Sequence, residues 1–390
     1  MMNIFKERSH LFKRLFSAVL PVLLAPSMAQ ADGSAIGPRE GMAGTTKDAS
    51  AMTFATAANF PNGTMRGFNL EYAKDGSNSY IEQDYADLQA MKVNLIRTRI
   101  VLTRCSGCES FNSVDLDLAH AEYVLQEGQA RGFKVVVVLG IPPAPGETGI
   151  KAFWTDSTLQ SNIAAAWQQI ASKLRSYPAL AGYDLINEPV PPGSNKGLQQ
   201  QAWTGFASML VTSLRKVDSD HVIIFESAPW ASADAFRGMQ PLPFKNIAYS
   251  FHFYYPDKLT AQGLPYNSIP LGMEYPSTAL DKTALSNALQ PVRDFEKRTG
   301  APIYVGEFGT VRWAPNGSAA RYIQDVVDLL DAEHWSWTLW SYRGYHAYDT
   351  EIPENVTRDL KAIQNRDARN SNTRSIQILD RAFINNQALK

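Results

Sequence analysis

The stretch "AGYDLINEPVPP", residues 181–192, runs as an apolar segment until Asn187, where Glu188 and Pro189 follow at once. A strand that stops on a carboxamide and a carboxylate, then fixes the next residue with a proline, makes chemical sense if a second such ending lies nearby. "PIYVGEFGT" (302–310) is one, closing on Glu307. The two endings are remote in the chain, so the fold has to bring strand ends together.

The pattern between them describes such a fold. Short apolar runs alternate with longer amphipathic stretches from Met65 onward. The strand candidates are "MRGFNL", "VNLIRTRI", "KVVVVLG", "LAGYDLIN", "HVIIFES", "IAYSFHFYY", "PIYVGEF" and "WSWTLWSY". Helix-like segments separate them, among them "SVDLDLAHAEYVLQEGQARG", "STLQSNIAAAWQQIASKLRS" and "KTALSNALQPVRDFEKRTG". Strands alternating with helices argue for parallel β/α units. The expectation is an α/β fold, a single-domain (β/α)8 TIM barrel over residues 61–365 with a long loop at 255–277 after the sixth strand. An open doubly wound sheet is the competing architecture. It fits less well because no G-x-G-x-x-G follows the early strands and polar residues recur at many strand ends, not at one switch point.

The flanks read differently. Residues 1–31 combine a basic start, an apolar centre from Leu15 to about Pro26, and the small-x-small ending Ala29-Gln30-Ala31, the pattern of a cleaved secretory signal. Its apolar part falls short of the ~20 residues of a spanning helix and is interrupted by Pro21 and Pro26. An exported protein, periplasmic or secreted, with no membrane span after cleavage is expected. Residues 32–60 form a Gly/Ala/Ser/Thr-rich lead-in, and 366–390 a polar, weakly periodic C-terminal extension to which the sequence assigns no role. The formal net charge of −1 gives no drive toward nucleic acid or an acidic membrane. Cys105 and Cys108, close together in "TRCSGCES", fit a loop disulfide in an exported chain better than a zinc site or a redox motif. With 8 Trp, 16 Tyr and 18 Phe, the chain has aromatic faces to spare for a cleft that grips flat, weakly polar ligands.

Two carboxylates at one barrel mouth are the machinery of glycoside hydrolysis, one protonated to donate and one ionised to attack. The chain resembles glycoside hydrolase family five, the cellulase-type retaining barrel enzymes, from about Arg66 to Tyr342. The resemblance implies that Glu188 of Asn-Glu-Pro is the acid/base and Glu307 of Gly-Glu-Phe-Gly the nucleophile. It further implies that Asn187 holds the sugar 2-hydroxyl, and that Arg97 in "LIRTRI", His252 and Tyr254 in "SFHFYY", and Trp340 in "WTLWSY" support substrate or carboxylates. On physical grounds Arg97 would keep Glu307 anionic and Tyr254 would donate to it, while Glu307 would raise the pKa of Glu188. One departure stands out: Pro142, in "VVVVLGIPPAPGE", replaces the histidine that the family often carries after the third strand.

Trp154, Trp230 and Trp313, with Tyr345, lie in loops and suit sugar-stacking subsites or loop packing equally. No metal or organic cofactor is implied, and neither H-E-x-x-H nor G-x-S-x-G is present. The expected activity is retaining hydrolysis of a β-linked polysaccharide by a monomer, first an endo-β-1,4-glucanase. The alternatives are a β-1,3-glucanase, a mannanase, a transglycosylase or, from another class, a non-catalytic carbohydrate-binding protein.

Overall fold

A computed structural model describes residues 65–70, 80–104, 114–140, 154–356, 358 and 369–386. The signal-like segment, the lead-in, Cys105, Cys108 and Pro142 lie outside the described residues. The elements in chain order are β1 (Arg66–Leu70), α1 (Glu82–Ala90), β2 (Leu95–Arg104), β3 (Val114–Asp117), α2 (Ala119–Arg131), β4 (Lys134–Gly140), α3 (Ser157–Leu174) and β5 (Leu180–Asp184). They continue with α4 (Lys196–Leu214), β6 (Val222–Glu226), β7 (Ile247–Phe253), α5 (Asp257–Thr260), α6 (Lys282–Ala288) and α7 (Gln290–Thr299). The last are β8 (Ile303–Phe308), α8 (Ser318–Ala332), β9 (Ser336–Leu339) and α9 (Arg374–Phe383).

Eight of the strands are parallel, and β1 pairs with both β2 and β9, so the sheet closes into a barrel. The ninth, β3, runs antiparallel along the far end of β2, Val101 opposite Asp117. This corrects part of one helix expectation. "VDLD" alternates with the period of two that suits a strand, and the helix starts only at Ala119. A second helix expectation also divides. The segment 282–299 is two helices because Pro291, which lacks an N–H and clashes with the preceding turn, sits in the first turn of α7.

The barrel interior is layered. Met65, Leu95, Val136, Ala181, Val222, Ile224, Ala248 and Tyr304, drawn from strands all round the sheet, fill its lower part as one apolar cluster. Because side chains alternate across a strand, the next inward residues are two positions on: Arg97 above Leu95, Glu226 above Ile224, and His252 two beyond Ser250 on β7. The polar layer therefore stands on an apolar floor. The outward faces of the same strands are buried beneath the helices, which explains their near-continuous apolar sequences.

The C-terminal segment contributes to this shell. Thr373 caps α9 by accepting the Ile376 N–H, and Phe383 packs its fully buried ring against Phe68 of β1 and Trp337 of β9. Asn386 then donates to the carbonyl of Lys92, at 2.8 Å. Located over the two strands that close the barrel, α9 takes the place of the outer helix following β9. Phe383→Ala should destabilise the protein by about 3–5 kcal/mol in denaturant unfolding. An unchanged midpoint would mean that α9 only decorates the surface.

Candidate active site

Glu188 and Glu307, at the ends of non-adjacent strands, meet at the barrel mouth: one oxygen from each lies within 4.8 Å of the other and of a His252 nitrogen. Their surroundings differ. The Glu307 Oε1 accepts from Arg97 Nη1 at 2.9 Å and its Oε2 from Tyr254 Oη at 2.8 Å. Burial pushes the pKa of Glu307 up. The electrostatic pull of His252, Arg97 and Arg99 and the Tyr254 hydrogen bond outweigh it and hold Glu307 well below the usual carboxylate range. Glu188, 9% exposed, meets His252 Nδ1 at its Oε1, 3.0 Å away.

Glu188 also answers for the proline beside it. Its φ of +47° lies in the left-handed region, which costs a side-chain-bearing residue about 1–3 kcal/mol. Its N–H is caught at 2.6 Å by Glu226 Oε2, and the carbonyl of Pro189 accepts from Trp230 N at 3.1 Å. The strained turn is thus tied to β6 and to the loop that follows it.

Beneath the pair lies Arg97, 2% exposed, with each of its N–H groups engaged. Nε donates to Asp184 Oδ2 (2.9 Å), Nη1 to Asn69 Oδ1 and Glu307 Oε1 (both 2.9 Å), and Nη2 to Asn187 Oδ1 (2.9 Å) and Glu226 Oε1 (2.7 Å). One guanidinium faces three buried carboxylates. Burial, and then the nearby Glu226 carboxylate, raise the Asp184 pKa well above its ordinary value despite Arg97.

Gly306 allows this assembly to close: a Cβ there would come within 2.9 Å of His252 Nε2. Glu188, His252 and Glu307 have the spacing of a cation site. The Arg97 guanidinium directly against Glu307 opposes a second positive charge, and the arrangement suits proton transfer better.

The aromatics divide by setting. Trp340 is nearly buried and packs against Tyr345 (centroids 5.3 Å apart) and Tyr348 (4.9 Å). Tyr345 donates to Tyr266 at 3.0 Å, which ties the loop after β7 to the loop after β9. Trp313 is buried, its indole N–H bonded to the Gln262 carbonyl, and braces that same loop. Trp154 packs edge-on against Trp203 and Phe206 of α4, and Trp230 is half-buried beside the Glu188 turn.

Asp184, Glu226 and Asn69 are residues of this site that sequence reasoning missed. Glu226 had a signal, since it ends an apolar run just as Glu307 does. Asp184, a charge inside an apolar run, required a partner that only the closed barrel reveals.

The raised Asp184 pKa has a measurable consequence. A carboxylate whose folded pKa is raised adds stability below its unfolded value, about 3.9, and loses it as pH rises through the folded value. Asp184→Asn should match the native melting temperature near that pH and increasingly exceed it toward alkaline pH. A constant offset across the range would place the proton elsewhere.

The description "Cellulase (glycosyl hydrolase family 5)" matches residues 54–346. Among curated proteins, the chain is similar to a "Beta-xylosidase" of Phanerodontia chrysosporium, 24% identical over 229 residues, which are 54% of this chain and 45% of that protein. It is also similar to "Endoglucanase C" of Acetivibrio thermocellus, 22% identical over 242 residues, 54% of this chain and 69% of that one. Among solved structures, Cel5A of Thermotoga maritima with cellobiose superposes with a TM-score of 0.66 at 21% identity, covering 81% of this chain and 97% of that one. The cellulose synthase subunit Z of Clostridioides difficile gives 0.63 at 19%, covering 81% and 99%. At these identities the superpositions speak for the barrel, while the family match spans most of the chain. The chain belongs to glycosyl hydrolase family 5, a family of glycosidases.

Proposed function

We propose that the protein hydrolyses a β-linked polysaccharide with retention of anomeric configuration, Glu307 acting as nucleophile and Glu188 as acid/base. One observation carries the reading: two carboxylates with oxygens within 4.8 Å of each other sit in unlike environments, one clamped by Arg97 and Tyr254, the other facing a histidine. Retaining glycosidases need their carboxyl groups about 5–5.5 Å apart, so that one can attack directly without an intervening water.

In the first step Glu307 attacks the anomeric carbon while Glu188 gives its proton to the departing glycosidic oxygen. The C–O bond breaks, and a glycosyl ester forms on Glu307. The ester carries no charge, so Glu188, now deprotonated, takes a proton from water. The water oxygen attacks the anomeric carbon and Glu307 is released. Asn187, anchored through its Oδ1 on Arg97, is placed to meet the 2-hydroxyl. The Trp340 face, steadied by Tyr345 and Tyr348, offers a platform for a pyranose ring.

Endo-β-1,4-glucan cleavage is the first choice of substrate. It is supported by the endoglucanases among the relatives, and β-1,3-glucan and mannan are the alternatives. Export through the leader at 1–31 and action as a monomer belong to the same proposal.

The test combines substrate, residue and stereochemistry. Release of reducing ends should be measured on cellulose, mixed-linkage glucan, laminarin and mannan. Glu188→Ala should lower turnover about 10²–10⁴-fold on the best of them. Glu307→Ala should reduce it to background with the fold intact. Proton NMR should detect the β anomer first; an initial α product would reject the covalent route.

The depressed Glu307 pKa fixes a further outcome. Tyr254→Phe removes one donor to the carboxylate, so the Glu307 pKa rises and the acid limb of kcat/KM should move up by about one pH unit. An unmoved acid limb would mean that Glu307 is not the group that must be ionised.

A further inference from the structure

We propose that Glu226 is a positioning residue for catalysis, aiming Glu188 at the leaving-group oxygen through the turn whose backbone it holds. The proposal rests on the reading of Glu188 as acid/base.

Glu226 is fully buried at the end of β6. Both of its oxygens serve the site. Oε2 accepts from the Glu188 backbone N–H at 2.6 Å and so holds the left-handed turn that presents the Glu188 side chain. Oε1 accepts from Arg97 Nη2 at 2.7 Å and lies 3.3 Å from His252 Nε2, without the alignment of a hydrogen bond. The opposite ring nitrogen, Nδ1, is the one 3.0 Å from Glu188 Oε1. A line of contacts therefore runs from Glu226 through the imidazole to the Glu188 carboxyl, alongside a second link through the backbone.

Glu226 is one of three glutamates that face the His252 ring, on its Nε2 side. The other charged groups facing the ring are Glu188 from the turn after β5 and Glu307 from β8, 3.7 Å from Nδ1. Arg97 of β2 and Asp184 of β5 lie behind Glu226. Among these, Glu226 is the carboxylate held against both the Glu188 backbone and the far side of its histidine.

The chemistry requires a carboxylate specifically. Glu226 accepts on both oxygens, from the Glu188 N–H on one and from Arg97 Nη2 on the other. A glutamine has one acceptor oxygen and one amide nitrogen that only donates, so Glu226→Gln sets donor against donor at one of these places. Shape is kept while the aim of Glu188 is lost.

A defect that acts through the acid is recognised by its dependence on the leaving group. Dinitrophenolate departs without a proton, whereas phenolate at neutral pH needs one. The full-length protein and its Glu226→Gln and Glu188→Ala variants should be compared by kcat/KM, which reports the first bond cleavage, on phenyl and dinitrophenyl β-cellobioside. Glu226→Gln should lose about 10²-fold on the phenyl probe and less than about tenfold on the dinitrophenyl probe. Equal losses on both, beside a split for Glu188→Ala, would overturn the role of Glu226 and leave the acid assignment standing. Equal losses for Glu188→Ala would remove the acid assignment and this proposal with it. If Glu226→Gln does not fold by circular dichroism, Glu226→Asp, which keeps the charge but withdraws it by one methylene, should give the same split.

Discussion

Arg97 commits its whole guanidinium to the floor of the cleft, and the positions of the groups above it follow from that one side chain. It reaches β1 through Asn69, β5 through Asp184, the following turn through Asn187, β6 through Glu226 and β8 through Glu307. An ammonium has three donors and no fixed plane, so a lysine could not join five partners on separate segments. Such a buried cluster is a poor source of net stability, because desolvating the ions offsets much of their attraction. What it provides is orientation: Glu307 is pinned on one side, Glu226 on another, and Glu226 in turn holds Glu188.

Charge balance explains the division of labour within the cluster. Three carboxylates cannot all ionise against one guanidinium in a dry interior. The pKa of Asp184 is pushed up, whereas that of Glu307, with Arg97, Tyr254 and His252 close by, is pushed down. The carboxylate that must attack is therefore the one the surroundings keep charged. An apolar layer underneath, from Leu95 to Tyr304, keeps water away from Arg97 and makes each of these interactions stronger than it would be at a surface.

The barrel was legible because strands covered on both faces read as unbroken apolar runs, as in "KVVVVLG" and "IAYSFHF". The strand-end glutamates stood out against those runs. Glu226 has the same signature at the end of "VIIFE", yet its importance comes from lying between two other residues, and a one-dimensional pattern does not encode that. The break at Leu289 was foreshadowed by Pro291, which the amphipathic pattern around it concealed. The antiparallel β3 was hidden by its length, four residues of alternation running directly into a helix. The C-terminal helix was hardest to read: its buried face is short, and the reason for that face, the closing seam between β1 and β9, exists only once the sheet is round.

That seam has a bearing on how the chain folds. The first strand can complete its pairing only when β9, about 270 residues later, has arrived, and Phe383 then settles over both. Contacts this remote in sequence carry a large loop-closure penalty and are made late and slowly. Until then, the β1 edge and the apolar faces of Phe68 and Trp337 stay uncovered, so the emerging polypeptide passes through an adhesive stage that ends when its two extremities join.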